Sequence, residues 1–211
     1  MEKKYRLTGY IMLLLIPLVF AGFYKTYFEK FPRFGEHIRL FDHLHALIAS
    51  AWILMLVVQP ILVANKKYET HRRLGRISYF VFALLLLSFI PQIQKTIRAG
   101  NLKNLFFPLS DMCVLIILYL LAIYHKKYTP KHMRYMITSA LVLLGPTVGR
   151  IGPLLFGWPE LLTQNIQYTL IYAVLLCLLW YDRKKITASN PYVVALGLFL
   201  LHQFIFYLLF L

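Results

Sequence analysis

Long apolar runs alternate with short polar, mostly basic segments along the whole chain. Each run is about as long as the roughly 20-residue stretch that crosses the hydrocarbon core of a bilayer. The segments between them are too short to hold a soluble domain. The pattern predicts an all-α fold, a polytopic integral membrane helical bundle forming one domain over residues 1–211. Its seven transmembrane helices are predicted at about 8–27, 43–64, 76–95, 106–125, 133–151, 163–182 and 191–211.

The second run carries a polar stripe along one helical face. Asp42, His45, Ala49, Trp52 and Gln59 recur at helical spacing, and the residues between them are mainly apolar. Polar side chains are costly in lipid, so this face is expected to contact other protein or to line a cavity.

The composition fits a membrane protein, since 60% of the residues are hydrophobic and the mean hydropathy is +0.64. The net charge is +15, which in a soluble protein would point to nucleic acid. Here the positive charges lie between the apolar runs, where they anchor loops and set orientation. The expected partner is therefore the lipid bilayer, not nucleic acid, and the oligomeric state is left open.

The first run follows MEKKYR, which is similar to the n-region of a signal peptide but lacks a small-residue cleavage site. We interpret it as a retained first helix. With that topology, 15 lysines and arginines lie on the side of the N-terminus and 8 on the other side. The positive-inside rule then predicts a cytoplasmic N-terminus and an external C-terminus. The short loops favour a multi-pass protein of the bacterial inner membrane.

Ionisable side chains collect in the predicted outer half. Asp111 lies early in the fourth run, His45 early in the second, Arg150 at the end of the fifth and His202 inside the seventh. An ionisable residue inside a membrane indicates a functional site. We predict catalytic roles for Asp111 and His45, with Arg150 or His45 as the partner of Asp111, and metal ligation by His45 and His202. For Asp111, a buried ion pair that only fixes packing is the alternative.

Amides and glycines accompany this outer group. Gln164, Asn165 and Gln167 begin the sixth run. The fifth run contains GPTVG, in which Gly145 and Gly149 are four residues apart and predict a face suited to close helix packing. The proline between them predicts a bend.

Histidines and arginines also collect on the predicted inner side, close to Gln59. His71, His132 and Arg76, together with Arg150, are the residues we expect to bind a cofactor, through imidazole ligation or contacts to haem propionates. The alternative is an ordinary basic rim that meets anionic lipid. The other members of this inner group are Arg72, His125 and Arg134.

Several familiar sites are missing from the sequence. It contains no Walker A, Rossmann glycine, CxxC, HExxH, kinase or nucleophile-elbow motif. Cys113 and Cys177 lie within apolar runs and are interpreted as small buried hydrophobic residues. The last run has no lysine, which argues against a retinal protein.

A spaced set of residues links the second, third and fifth runs. Its members are His45, Gln59, His71, Arg72, Gly75, Arg76 and Tyr79, and later His132, Arg134, Met136, Ser139 and Arg150. This pattern, with HRRLGRISY as its most specific part, resembles a family of bacterial predicted membrane proteins known as a domain of unknown function. The resemblance covers roughly residues 43–152 and differs at KHMRYM, where one residue separates His132 from Arg134. It implies the architecture and the candidate residues but no activity.

The layout is also loosely similar to cytochrome b561-like and ferric-reductase-like bundles, in which histidines near both faces hold two haems. That similarity implies pairing of His45 with His202 outside, and of His71 with His125 or His132 inside. Seven-span zinc amidases of the ceramidase type are less similar, because His202 has no second histidine one turn away.

Three functions follow as hypotheses. The most concrete is a membrane redox protein that binds haem b or another metal. The second is a membrane enzyme with an acid–base or metal site at Asp111 and His45, acting on a small molecule or a lipid. The third is a non-catalytic transporter-like or structural membrane subunit, in which the polar stripe only stabilises packing.

Overall fold

A computed structural model describes residues 5–35, 38–183 and 186–211, and the regular structure within those ranges is helical. For residues 186–189 it describes the backbone alone. The α-helices are α1 (Thr8–Met12), α2 (Leu15–Tyr24), α3 (Leu40–Ala64), α4 (Tyr68–Arg98), α5 (Phe106–Tyr124), α6 (Thr129–Leu141), α7 (Leu144–Phe156), α8 (Glu160–Asp182) and α9 (Ile186–Phe210).

Six segments of the described chain are long and apolar enough to cross a membrane. They correspond to α3, α4, α5 with the short 3-10 turn before it, α6 with α7, α8, and α9 from Asn190 onward. A shorter apolar segment, Thr8–Tyr24, comprises α1 and α2. The predicted helical membrane bundle is confirmed at this level.

The connection between α3 and α4 is shorter than predicted. Lys66 has a positive φ of 61°, and the chain reverses direction within residues 65–67. The basic segment HRRLGR therefore forms the first turns of α4 instead of a loop. These turns lie outside the apolar part of α4, where Glu69 and Arg73 form an exposed ion pair one turn apart.

The last helix begins before the span predicted at about 191–211. α9 begins at Ile186 and includes Pro191, and its apolar part begins at Asn190. A proline this close to the N-terminus removes only an early backbone hydrogen bond, so the helix tolerates it.

The chain divides into two compact units, Met1–Asn101 and Leu102–Leu211. In the first unit, α3 and α4 form an antiparallel pair whose contacts run the length of both helices. From one end of α3 to the other, these contacts are Asp42 with Gln92, His45 with Ser88, Trp52 with Phe82, and Gln59 with His71 and Gly75.

The N-terminal segment also lies along α3. Near one end, a Cβ on Gly9 would lie 2.5 Å from the Ile61 side chain, so only glycine allows the two helices to approach so closely. Beyond the other end, the Tyr27 hydroxyl hydrogen-bonds to Nδ1 of His43 at 2.7 Å.

In the second unit, α9 packs against α5, α6 and α8, and α7 packs against α6 and α8. From Tyr192 onward, the buried positions of α9 recur every three or four residues, which marks the face that it turns to the unit. They are Tyr192, Ala195, Phe199, His202 and Phe206.

The segment Thr129–Phe156 tightens at its centre, as GPTVG predicts. Pro146 has no N–H to donate to Val142, and the backbone N–H of Gly145 bonds that carbonyl at 3.1 Å instead. This tight turn separates α6 from α7 and places Gly145 in the first turn of α7.

The two cysteines do not lie in the core. Cys113 and Cys177 are exposed on the outward faces of α5 and α8, so the prediction that they are buried is wrong. Membrane-facing positions are as apolar as core positions in such a bundle, and composition alone does not separate them.

Candidate functional site

Asp111 and His202 meet inside the second unit. Nε2 of His202 lies 3.4 Å from Oδ1 of Asp111. The side chain of His202 is 3% exposed and that of Asp111 is 16% exposed. The helices α5 and α9 therefore bring a carboxylate and an imidazole together in apolar surroundings, where their interaction is stronger than in water.

Hydrogen bonds at both ring nitrogens fix the tautomer of His202. The Ser110 hydroxyl donates to the carbonyl of Phe106 at 2.5 Å, so its oxygen accepts from Nε2–H of His202 at 2.8 Å. A neutral imidazole with its proton on Nε2 accepts at Nδ1, and the Tyr168 hydroxyl lies 2.8 Å from that nitrogen. One proton arrangement thus satisfies Tyr168, His202 and Ser110 together.

Glycine makes room for the carboxylate. A Cβ on Gly145 would lie 2.7 Å from Oδ2 of Asp111, closer than non-bonded atoms approach. The glycine predicted as a helix-packing position therefore accommodates a charged side chain from α5.

Arg150 lies near the same carboxylate, and the two charges attract each other. Its guanidinium also donates to the carbonyl of Pro146 at 2.7 Å, one turn earlier on α7. The sequence-based prediction that Asp111 pairs with Arg150 therefore agrees with the electrostatics, whereas the imidazole beside it is that of His202.

An aromatic cluster surrounds His202. The ring centroid of Phe106 lies 4.7 Å from that of the imidazole, and Tyr168 and Phe206 complete the buried core of the cluster. The tyrosine hydroxyl next to the imidazole is therefore in a largely apolar environment. Such an environment strengthens the hydrogen bonds among these groups.

This arrangement can move a proton through the ring. Nε2 of His202 lies within reach of Oδ1 of Asp111 as well as of the Ser110 hydroxyl, so a shift of Nε2–H from Ser110 toward Asp111 completes a chain of donors from Tyr168 to Asp111. The three groups form a relay from a phenol through an imidazole to a carboxylate. The sequence analysis predicts that His202 ligates a metal, and it does not predict the contacts of His202 with Tyr168 and Asp111.

In the first unit, the polar stripe of α3 faces α4, which confirms that it contacts protein. Nδ1 of His45 lies 2.8 Å from the Ser88 hydroxyl, which itself donates to the carbonyl of Leu85 at 2.6 Å. The proton of His45 is therefore on Nδ1. His45 belongs to the first unit and Asp111 and His202 to the second, and within these units the contacts join Asp111 to His202 and His45 to Ser88.

At the N-terminal end of the stripe, Asp42 has a structural role. Its carboxylate accepts from the backbone N–H of Arg39 at 2.9 Å and from the Gln92 amide at 2.8 Å, and Lys95 lies 3.5 Å away. Asp42 thus caps α3 and ties it to α4. His43, on another face, contacts Tyr27 as described above.

The residues predicted on the inner side are divided between the two units. In the orientation of the Gln59 amide that satisfies both of its polar atoms, its N–H groups bond the carbonyl and Nδ1 of His71 and its oxygen accepts from Gly75. In the second unit, Nδ1 of His132 donates to the carbonyl of Ala122 at 2.8 Å. Arg76 is exposed on α4.

A buried ion pair joins α6 to α8 and was not anticipated. Nε of Arg134 donates to Oδ2 of Asp182 at 2.5 Å, and both side chains are fully buried. Arg134 also donates to the carbonyl of Pro130 at 2.9 Å. A sequence signal existed, because Asp182 follows the buried Tyr168 and Leu175 at intervals of seven residues, on the same helical face.

Comparison of the chain with protein-family models, with curated proteins and with solved structures finds no match. The functional argument therefore depends on the residues of this chain.

Proposed function

We propose that the chain is a multi-pass inner-membrane protein with an acid–base site, in which Asp111, His202 and Tyr168 transfer a proton during a reaction on a small molecule or lipid. The hydrogen bond between Tyr168 and Nδ1 of His202, together with the 3.4 Å contact between Nε2 and Asp111, carries this proposal. Both ring nitrogens already bond hydroxyl groups, Nε2 that of Ser110 and Nδ1 that of Tyr168.

The partner of Asp111 supports a proton-carrying role over a purely structural one. An imidazole can both donate and accept a proton, so the Asp111–His202 contact joins two groups that can exchange one. Arg150 adds a fixed positive charge, which limits the cost of holding Asp111 ionised within the bilayer.

The N-terminal segment is proposed as a seventh span. It contacts α3 at Ile61 through Gly9 and at His43 through Tyr27. These two positions of α3 are separated by about 27 Å along a helix, close to the thickness of a hydrocarbon core. The N-terminal segment extends over the same height as α3.

The distribution of positive charge supports the same topology. If the first segment did not cross, Lys3, Lys4 and Arg6 would change sides, and the counts of 15 and 8 would become 12 and 11. The positive-inside bias therefore depends on a crossing N-terminal segment, with the N-terminus cytoplasmic and the C-terminus outside. In that orientation Asp111 and His202 lie in the outer half.

A haem- or metal-binding redox protein is the second candidate. His132 donates through Nδ1 to a backbone carbonyl, which is how proteins often orient an imidazole that ligates through Nε2. His45 donates through Nδ1 to Ser88 and has the same tautomer. In the predicted haem-ligating pairs, His202 and His71 would each have to give up a hydrogen bond before binding iron. Absorbance spectra of oxidised and reduced protein, with elemental analysis, test this candidate.

Infrared difference spectroscopy tests the acid–base proposal. We expect a protonated-carboxyl band that appears on acidification of the purified protein, shifts in heavy water and is absent from Asp111→Asn. Asp42→Asn is the matched control, because it removes a helix-capping carboxylate and should leave the band in place. A band that survives Asp111→Asn unchanged would contradict the proposal.

A further inference from the structure

Two buried carbonyl oxygens at the start of α8 have no hydrogen-bond donor. They are Oε1 of Gln164 and Oε1 of Gln167, on side chains that are 5% and 3% exposed. A buried acceptor without a donor is costly, and the cost is larger in an apolar interior. Two such atoms one turn apart on the same face therefore indicate that a donor-bearing molecule binds there.

These amides adjoin the acid–base site. Gln164 lies one turn before Tyr168, which bonds His202. The Gln164 amide nitrogen is also 3.8 Å from where a Cβ on Gly149 would lie, so it sits against α7 next to Arg150. The unsatisfied oxygens and the proton relay thus occupy one region between α7, α8 and α9.

Glycines of α7 create the space for polar groups in this region. Gly145 faces the Asp111 carboxylate, Gly149 faces Gln164, and Gly152 contacts Thr163 so closely that a Cβ would overlap it. The three glycines recur at helical spacing and form one face. That face is lined by polar side chains of α5 and α8, not by the apolar side chains typical of simple helix packing.

The local charges indicate what kind of molecule fits. Asp111 and Arg150 carry opposite charges that attract each other, and His202 is neutral in the hydrogen-bonding arrangement above. An anion would face two carbonyl oxygens, and a cation would face the Arg150 guanidinium. A neutral molecule with hydroxyl groups satisfies both oxygens without adding charge.

We propose that Gln164 and Gln167 form the binding site for a neutral, hydroxyl-bearing substrate of the acid–base site. This inference rests on the proposed function and names its substrate class. A hydroxyl that donates to these amides lies beside the Asp111–His202 pair, which can accept its proton. A free polyol and the hydroxylated head group of a neutral lipid share this chemistry.

Thermal unfolding of the full chain in phosphatidylcholine nanodiscs tests the inference. The probes are glycerol, monoolein, and methyl oleate as the lipid control without hydroxyl groups. We expect glycerol or monoolein, but not methyl oleate, to stabilise the wild type in a saturable manner. Because polyols also stabilise proteins non-specifically, the readout is the difference between the wild type and the variants. Stabilisation by glycerol identifies a soluble polyol, and stabilisation by monoolein alone identifies a lipid head group.

Gln164→Leu and Gln167→Leu should each raise the apparent Kd about tenfold, the effect of losing one buried hydrogen bond. Without ligand they should unfold at the same or a higher temperature, because an unsatisfied acceptor is removed. Gln164→Met and Gln167→Met, of similar length, repeat the test if a leucine variant does not fold. Gln203→Leu is the matched control, since its amide is bonded to Tyr172 and Tyr207. It should lower the unfolding temperature and leave the Kd unchanged.

Two results would overturn the inference. One is a wild type that glycerol and monoolein stabilise no more than the Gln164→Leu/Gln167→Leu double variant. That result would mean that only ordered water bonds these oxygens. The other is saturable binding that the glutamine variants leave intact. The infrared band that Asp111→Asn assigns separates this inference from the proposed function. Hydroxyl-dependent binding by a wild type that lacks the Asp111 band supports the binding site and contradicts the proposed reaction. A wild type that shows the Asp111 band but no hydroxyl-dependent binding supports the reaction and contradicts the binding site.

Discussion

Two aspartates of the second unit, Asp111 and Asp182, lie at opposite ends of its helices, and their partners differ. Asp182 bonds Arg134 at 2.5 Å with both side chains fully buried. Asp111 lies 3.4 Å from His202 and is slightly exposed. A guanidinium only donates hydrogen bonds, whereas an imidazole can both donate and accept a proton. The same acidic group therefore fixes structure in one place and can exchange a proton in the other.

The comparison shows that burial alone does not identify a functional carboxylate. Asp182 is the more deeply buried of the two, yet its partner, the Arg134 guanidinium, does not give up a proton to it. Asp111 differs in that its partner is the imidazole of His202, whose other ring nitrogen bonds the Tyr168 hydroxyl. The two sites make different predictions, given below from the largest expected effect to the smallest.

Removal of one member of the Arg134–Asp182 pair should have the largest effect on stability. Arg134→Met leaves a buried carboxylate without its partner and should cost about 3–5 kcal/mol of unfolding free energy. Denaturant titration in mild detergent measures it. The double variant with Asp182→Leu should recover most of the loss, and a single variant as stable as the wild type would show that the pair is not a structural lock.

Gly145→Ala should destabilise the second unit by about 1–3 kcal/mol, because the new methyl group overlaps the Asp111 carboxylate. Asp111→Ser shortens that side chain and should suppress the effect in the double variant. Gly197→Ala is the control, since no neighbouring atom lies within 4 Å of its added Cβ and helix propensity favours alanine there. Equal effects at both glycines would argue against a close contact with Asp111.

Tyr168→Phe should cost about 1–2 kcal/mol, because Nδ1 of His202 loses the hydroxyl that it accepts from. It should also alter the infrared carboxyl band of Asp111, since the relay is interrupted. Tyr172→Phe removes a comparable buried hydroxyl that bonds Gln203 instead. If both variants change the band equally, the effect is not specific to the relay.

Ser88→Ala in the first unit should have the smallest effect, about 0.5–1.5 kcal/mol, from the loss of one hydrogen bond to His45. It should leave the infrared band of Asp111 unchanged, because His45 is not part of the relay. Thermal unfolding and the same infrared titration measure both. A change in the Asp111 band would assign His45 to the acid–base site after all.

The membrane helices and the polar stripe of α3 were predictable from the sequence, since both depend on local periodicity. The stripe of Asp42, His45 and Gln59 does contact protein, and each of these residues has a partner on α4. The beginning of α4 was not predictable from hydropathy, because its first turns are polar. A polar segment next to an apolar run can be a loop or a helix that extends beyond the membrane.

The pairing of Asp111 with His202 could not be read from spacing, because the two residues lie on helices far apart in the chain. The sequence marked both as unusual within apolar runs but offered Arg150 or His45, and not His202, as the partner of Asp111. Ser110 and Tyr168 carried no signal of their own, since serine and tyrosine are common in membrane helices. Their roles depend on tertiary packing around the buried face of α9.

The central claim is that Asp111, His202 and Tyr168 share one proton relay. Nitrogen-15 NMR of histidine-labelled protein in lipid tests it most directly, with His202→Gln assigning the resonance. At neutral pH the account predicts the Nε2–H tautomer for His202, with its resonance changed by both Asp111→Asn and Tyr168→Phe. An Nδ1–H tautomer, or a resonance that neither variant affects, would contradict it.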